Sequence, residues 1–295
     1  MSHGIRNWSA AIFLLGLGAA AGWLLRGTPP RPDMPPPVQA SAAPLRAPIA
    51  PAADGKHGAS ASPRSPLAKK PEENPWPPAG ESLTFTAHLS KLNNVAALRL
   101  LAGERSDFLG KKSIHLQALA NTQNPLRMVF ELDDRFDSYS ETAGWTSQQY
   151  EMHLSERGQK QSIVLRLSSG AEPAPAGMTA ARVLPGTRDP LGMIYYLRKV
   201  DWTKTEEVRS PVYDGRKLYE VRARLAGQAE KVKVPAGEFQ ALKIAVQVFE
   251  NGKEFKDASF VVYLAAAGAA GAPTPVLLEA VLPIGNARVE LISAK

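Results

Sequence analysis

The chain has 295 residues, a formal net charge of +7 and no cysteine. The missing cysteine excludes disulfides, thiolate metal ligands, cysteine nucleophiles and the acylated cysteine of a bacterial lipoprotein. Residues 1–79 hold 8 basic and 4 acidic side chains, and the remainder holds 27 and 24. Because this longer part is nearly balanced, it lacks the concentrated basic face that nucleic-acid binding requires. We therefore expect no nucleic-acid partner.

The amino-terminal stretch Trp8–Leu25 contains 18 residues without a charged side chain. As a helix it measures about 27 Å, which is enough to cross a bilayer core. Ala19–Ala21 resembles a cleavage site, which would make residues 1–26 a removable signal peptide. We favour an uncleaved signal-anchor, because the apolar character resumes at Trp23. The expectation is a single-pass protein of the bacterial inner membrane with its main domain in the periplasm, or a periplasmic protein if the segment is cleaved.

Residues 27–79 are rich in proline and alanine, and fifteen of the 25 prolines lie between Pro29 and Pro78. Such a composition cannot bury enough apolar surface to offset the entropy of ordering. We predict that residues 27–79 form a disordered linker. Residues 80–295 are then the folded domain.

Alternating apolar and polar residues predict strands along most of the domain. Leu83–Leu89 and Ile114–Ala120 have this period of two. Asp214-Gly215 and Asn251-Gly252 are dipeptides typical of tight hairpin turns, because both supply positive φ angles. The apolar run Leu126–Leu132 predicts a further, mostly buried strand.

One short helix is expected at residues 190–198. Asp189 is a suitable N-cap, and Pro190 falls at the first helical position, where a missing N–H has no consequence. With about ten or eleven strands in hairpin succession, the fold class is all-β and mainly an antiparallel meander. Such a sheet must hide its edges, so we expect a barrel-like form, a curled half-barrel or a sandwich.

Acidic residues cluster at Glu131, Asp133, Asp134 and Asp137. If Asp133 and Asp137 converged, they could bind Ca²⁺ or act as an acid/base pair. The glycine and terminal glutamate of a calcium loop are missing, and we favour a solvated strand end. Asp134 is retained as a candidate ligand-binding residue.

The histidines of the domain show no spacing typical of a metal site. His88, His115 and His153 lie on separate predicted strands and can converge only through the fold. The sequence also lacks a G-x-S-x-G nucleophile motif and a Walker loop. We expect no metal, no cofactor and no catalytic residue.

Three further candidates for ligand binding lie at or near the predicted helix. Arg188 precedes the N-cap, and its alternative role is local pairing or exposure to solvent. Tyr195 and Tyr196 are adjacent on the helix, so both cannot point into the core. We expect one of them to pack and the other to line a groove.

Several spaced motifs of the domain form a recognisable set. They are Asp133-Asp134-Arg135-Phe136 with Ser138, Pro185 to Leu191 leading into Tyr195 to Arg198, Pro211 to Gly215, Val234 to Phe239, and Leu278 to Gly285. With these motifs, the carboxyl-terminal two thirds of the chain resembles the uncharacterised exported bacterial family known as domain of unknown function 3108. The resemblance implies an exported β-rich domain, commonly behind a signal sequence, with no established activity and no catalytic residues to transfer.

These observations favour a non-enzymatic, membrane-tethered envelope protein. Its curled sheet would present an apolar concavity, capped by the helix at 190–198, to a lipid, an acyl chain or an envelope polymer. The alternative is a scaffold whose sheet edge or proline-rich linker binds another envelope protein. An envelope hydrolase that uses the carboxylates of residues 133–137 is the least favoured hypothesis.

Overall fold

The computed structural model describes residues 76–170, 176, 178–255, 259–265, 273–282 and 285–295. The predicted membrane span at residues 8–25 and nearly all of the predicted linker lie outside this part of the chain. Of the helices in the described part, none has the length and apolar character needed to cross a bilayer. Trp76, near the end of the predicted linker, is buried in the core of the domain.

Fourteen strands and two short helices form the described part of the domain, which confirms the all-β class. The helices are α1 (Leu126–Val129) and α2 (Pro190–Lys199). The strands are β1 (Ser82–Leu89), β2 (Leu92–Phe108), β3 (Lys111–Thr122), β4 (Asp133–Glu141), β5 (Ser147–Glu156), β6 (Gln159–Ser168), β7 (Thr179–Arg182), β8 (Glu207–Tyr213), β9 (Leu218–Val234), β10 (Gly237–Glu250), β11 (Lys253–Glu254), β12 (Ser259–Ala265), β13 (Thr274–Leu282) and β14 (Gly285–Ala294).

All of these strands belong to one sheet, in the order β7-β6-β5-β4-β3-β2-β1-β14-β13-β12-β10-β9-β8, with β11 paired to β10. Two antiparallel meanders therefore meet where the first strand pairs with the last, β1 with β14. Only β7 runs parallel to its neighbour, β6, among the described pairs. The expected meander is confirmed, and among the described residues no strand ladder joins the two ends of the sheet, β7 and β8.

The chain itself connects those two ends. Residues 183–189, here called the closing segment, run from β7 to α2. At one end Val183 N–H donates to the Ser168 carbonyl (3.0 Å), and further on Ser147 N–H donates to the Thr187 carbonyl (3.1 Å). At the other end Arg188 N–H donates to the Pro211 carbonyl (3.0 Å), while Tyr213 N–H donates to the Arg188 carbonyl (2.9 Å). The closing segment is thus hydrogen-bonded to both halves of the sheet.

Helix α2 lies on the core face of the curved sheet. It begins at Pro190, as predicted, and ends at Lys199, one residue beyond the predicted end. Leu191, Met193, Tyr195 and Leu197 are all buried and belong to the main core with residues of both meanders. These side chains occupy the space enclosed by the sheet. The helix therefore forms part of the core and does more than cap a concavity.

The strand predicted at Leu126–Leu132 is wrong. The segment contains α1, and Met128 and Val129 are 82% and 69% exposed. It joins β3 to β4, which are already paired with each other, so no free strand edge lies beside it. An apolar run without a period does not distinguish strand from helix or turn. The buried residues of this region, Ala120, Phe130 and Leu132, form a second and smaller core.

Strand β4 was not expected as a strand, because its sequence DDRFDSYSE is mostly polar.

The two hairpin dipeptides are confirmed: Gly215 has φ 96°, and Asn251 and Gly252 have φ 51° and 76°. Strand β9 is continuous over Leu218–Val234, and its register with β10 shifts near Lys243.

Candidate functional site

Asp189 is the N-cap of α2, as predicted, and is fully buried. Its carboxylate accepts hydrogen bonds from Gly192 N–H (2.8 Å) and from the Ser138 hydroxyl (2.5 Å). Its own N–H donates to the Ser147 hydroxyl at 2.7 Å. Burial raises the pKa of Asp189, although these hydrogen bonds favour the charged form. The cluster joins the first turn of α2 to β4 and β5, which is a structural role.

Arg188 connects three parts of the fold, and only 9% of its surface is exposed. Its guanidinium donates to the Ser210 hydroxyl (2.7 Å) and to the Gly144 carbonyl (2.6 Å). The same group stacks on Tyr196, with its carbon 3.6 Å from the ring centre. Burial lowers the pKa of Arg188. The structure therefore places this candidate ligand-binding residue between β8, the β4–β5 turn and α2, where it supports the closing segment.

The two adjacent tyrosines have different surroundings. Tyr195 is fully buried, and its ring lies 6.0 Å from Trp145 and 6.2 Å from Trp76. Burial raises the pKa of Tyr195 well above its ordinary value. Tyr196 is half-buried beneath Arg188. Tyr195 is therefore the packing residue, while Tyr196 supports the Arg188 side chain.

A buried ion pair that the sequence did not indicate lies beside Tyr195. Arg198 donates to both carboxylate oxygens of Glu81, at 2.7 and 2.6 Å, and its Nε donates to the Pro273 carbonyl at 2.9 Å. Arg198 is 1% exposed and Glu81 is 5% exposed. The two residues are 117 positions apart, so no local pattern could have linked them.

Asp134 lies on the core face of β4 and is 3% exposed. One carboxylate oxygen accepts from Ser155 N–H at 2.9 Å. The other is buried without a hydrogen-bond partner in the described part of the chain. Burial raises the pKa of Asp134 to about 7, and the negative charges of Glu156 and Asp133 act in the same direction. The group therefore titrates near neutral pH.

The acidic cluster is divided between the two faces of the sheet, because successive side chains of a strand alternate. Asp133 pairs with Arg127 at 2.7 Å, on the side opposite Asp134. Asp137 instead hydrogen-bonds to His115 at 2.8 Å. These separate partners give the carboxylates no common centre of the kind that a hydrolytic acid/base pair needs.

A groove with a volume of about 550 Å³ lies on the outer face of the sheet, where β1, β14, β13 and β12 are neighbours. His88 lies opposite Arg288, and Arg288 lies opposite Glu279 in the next strand. Glu279 accepts hydrogen bonds from Arg288 (2.8 Å) and from the Tyr263 hydroxyl (3.1 Å). The lining of the groove combines charges of both signs with apolar side chains, among them Val261 and Val281.

No residue of this groove was predicted from the sequence. The alternation of each strand could have identified the outward-facing residues of β1, β13 and β14. Their assembly into one surface depends on the pairing of the first strand with the last.

Comparisons with known proteins give a family and distant structural likenesses. No curated protein matches the chain. A β-barrel-like protein of the DUF1849 family from Brucella abortus is similar, with 9% identity, a TM-score of 0.46, and 74% of this chain and 97% of that chain covered. A protein from Bacteroides fragilis with a YmcC-like fold has 12% identity and a TM-score of 0.31, over 74% and 96% of the two chains. A protein from Parabacteroides distasonis, assigned as a lipoprotein, has 12% identity and a TM-score of 0.31, over 74% and 95%.

The family is established by a separate comparison. The match to the family described as protein of unknown function (DUF3108) extends over residues 84–292. That range includes the closing segment, α2 and every residue that lines the groove. The chain belongs to the DUF3108 family.

Proposed function

We propose that this chain is a non-enzymatic envelope protein, tethered to the inner membrane, whose domain binds a polar envelope polymer. The observation that carries this proposal is the groove of about 550 Å³ on the outer face of the sheet. Export and tethering are supported by the apolar stretch Trp8–Leu25 and by the proline-rich linker expected after it. Catalysis is disfavoured because the acidic residues of β4 have separate partners.

The chemistry of the groove favours a polar ligand over an acyl chain. Hydrogen-bond donors and acceptors lie along the groove, and both positive and negative charges are present. They belong to His88, Glu279, Arg288 and Glu290. An acyl chain needs a mainly apolar enclosure, and the core face of the sheet is occupied by α2. An open groove that combines charged groups with apolar side chains suits an extended glycan, because sugar rings present both hydroxyl groups and apolar faces.

The ends of the sheet weigh against a scaffold that adds a partner's strand. The end strand β7 has only four residues. The other end strand, β8, already exchanges hydrogen bonds with Arg188. Both edges therefore offer few free backbone groups for strand addition.

Cosedimentation of the purified full-length protein with isolated cell-wall glycan tests the proposal. Wild type should sediment with the glycan, and Arg288→Ala should reduce the bound fraction by about fivefold, since it removes a guanidinium from the groove. Arg222→Ala is the matched control, because Arg222 forms the same kind of pair, with Glu220, outside the groove.

Failure of wild type to sediment, or equal loss in both variants, contradicts glycan binding in this groove. A lipid that copurifies in stoichiometric amount would instead favour the acyl-chain hypothesis. A single protein partner captured by crosslinking in cells would favour the scaffold.

A further inference from the structure

Three potential metal ligands converge on the outer face of β4 and β5, away from the groove. Asp137 lies directly opposite Glu151 in this strand pair, and His153 lies two residues further along β5. His153 Nε2 is 3.1 Å from Glu151 Oε2 and 3.8 Å from Asp137 Oδ2. These donor atoms all lie within 4.8 Å of one another. A divalent ion lies about 2.0–2.2 Å from each ligand atom, so the ligand atoms of one ion are separated from one another by distances similar to these.

The remaining polar atom of each ligand is held by a neighbour. His153 Nδ1 hydrogen-bonds with the Ser162 hydroxyl at 3.1 Å, which leaves Nε2 directed at the carboxylates. Glu151 Oε1 accepts from Gln149 Nε2 at 2.7 Å. Outer partners of this kind fix the orientation of metal ligands in known metalloproteins.

Asp137 is the most enclosed of the three, with 3% of its surface exposed. Its Oδ1 is engaged by His115 and Gln117, both at 2.8 Å. These two hydrogen bonds fix the orientation of the carboxylate, and its Oδ2 is the oxygen that lies near His153 Nε2.

Arg135 occupies the position next to these ligands. Its Nε donates to Asp137 Oδ2 at 2.8 Å, and its side chain is 48% exposed. Because about half of the Arg135 side chain is exposed, its guanidinium can turn into solvent when a cation takes its place beside Asp137. The Arg135 guanidinium thus carries, beside Asp137, the positive charge that a bound cation would carry there.

We propose that Asp137 Oδ2, Glu151 Oε2 and His153 Nε2 bind a divalent transition-metal ion, and that the Arg135 side chain turns away when the ion binds. One imidazole and two carboxylates suit Zn²⁺, Mn²⁺ or Fe²⁺ better than Ca²⁺ or Mg²⁺, which prefer oxygen ligands alone. The site is independent of the glycan groove, which lies on other strands. It was not predictable from spacing, because its ligands come from two strands.

Titration of the chelator-treated, full-length protein with Zn²⁺ by calorimetry, and with Co²⁺ by visible absorption, tests the site. We expect one ion per chain, with affinity reduced by at least about tenfold in Glu151→Gln and His153→Ala. Ser162→Ala, which touches no ion, should weaken binding by about tenfold because it removes an orienting partner. Glu290→Gln should have no effect, since the His88–Glu290 pair on the same outer face has no third ligand in the described part of the chain.

Arg135→Gln separates a metal site from an ion-pair network. In a metal site the variant binds Zn²⁺ about fivefold or more tightly, because the competing guanidinium is gone. The proposal is overturned if wild type binds no Zn²⁺ or Co²⁺ stoichiometrically, or if binding is unchanged in Glu151→Gln and His153→Ala. Unchanged affinity in Arg135→Gln would show that its guanidinium does not occupy the cation position. Circular dichroism checks that each variant is folded. If Glu151→Gln or His153→Ala unfolds, the test rests on Ser162→Ala and Arg135→Gln, which retain all three ligands.

Discussion

Asp134 illustrates what burial does to a single carboxyl group in this protein. It lies on the core face of a strand whose outer face carries Asp133 and Asp137, so three neighbouring acids have three different environments. One oxygen of Asp134 bonds to Ser155 N–H, and the other is buried next to the charge of Glu156. The protonated form is favoured because it removes a charge from a poorly solvated position.

This environment predicts a stability that decreases as the pH rises. The pKa of Asp134 is about 7 in the folded protein, against about 4 in an unfolded chain. Between these values the native state binds more protons, so stability is greatest below about pH 4 and is lost as the pH rises through about 7. Asp134→Asn should remove a pH dependence of the order of 3 kcal/mol. Urea unfolding at pH 5 and at pH 8 measures the difference in the free energy of unfolding between these two pH values.

The matched control is Asp107→Asn, because the Asp107 side chain is 67% exposed, pairs with Lys112 and lies on another strand. It should leave the difference between pH 5 and pH 8 as in wild type. An unchanged difference in Asp134→Asn would place the titration elsewhere, with Glu156 as the next group to substitute, since burial also raises its pKa.

Helix α2 is held at its first turn by a close approach that requires glycine. A Cβ atom at Gly192 would lie 3.0 Å from the hydroxyl oxygens of both Ser140 and Ser147. The Ser147 hydroxyl accepts from Asp189 N–H, and the Ser140 hydroxyl bonds with Ser138 at 2.9 Å. Neither hydroxyl can withdraw without losing a buried hydrogen bond.

Gly192→Ala should therefore destabilise the protein, although the same change usually stabilises a helix by about 1 kcal/mol. We expect a loss of about 1–3 kcal/mol in the free energy of unfolding, from overpacking. In the Ser140→Ala background the loss should be smaller, because one of the two opposing oxygens is removed. Denaturant unfolding of the four proteins in this cycle gives the coupling. A gain of stability in Gly192→Ala alone would contradict the proposed crowding.

At the scale of the whole molecule, one helix and one connecting segment hold an open sheet in its curved form. The closing segment is hydrogen-bonded near both ends of the sheet, and α2 continues from it into the core. At the other end of α2, Arg198 pairs with Glu81, which immediately precedes β1 in the middle of the sheet. The ends and the centre of the sheet are thus connected through one short stretch of chain.

Removing one partner of the Arg198–Glu81 pair should be strongly destabilising. Glu81→Gln leaves a buried guanidinium without its counter-charge, and we expect a loss of about 3–5 kcal/mol. The double variant Glu81→Gln/Arg198→Met should lose less than the sum of the single variants, because no charge remains buried. Thermal and urea unfolding measure this. Additive losses would show that the two residues act independently.

Local sequence patterns were enough for most strands, both hairpin dipeptides and α2. The period of two in Leu83–Leu89 and the Asp189-Pro190 start of the helix are signals that depend only on neighbours. Patterns were not enough at Leu126–Leu132, where the pairing of β3 with β4 leaves no room for a strand. They also failed at β4, whose polar residues face both a buried hydrogen-bonded cluster and the outer surface.

The candidate residues show the same division. Arg188 and Tyr195 were found through a distinctive motif, yet the structure gives both of them internal partners. The groove at Arg288 and the cluster around Asp137 were not found, because their members lie on different strands. Strand pairing brings together residues that are far apart in the sequence.

By itself the sequence determined the class of fold, the position and capping of α2, the hairpin turns and the resemblance to the DUF3108 family. These features depend on interactions within a few residues, which composition and periodicity express directly. The tertiary structure alone decided that β1 pairs with β14, that the closing segment connects the two ends of the sheet, and that α2 fills its core face. Such features depend on which distant segments bury their apolar faces together, and that choice is made by the packing of the whole chain.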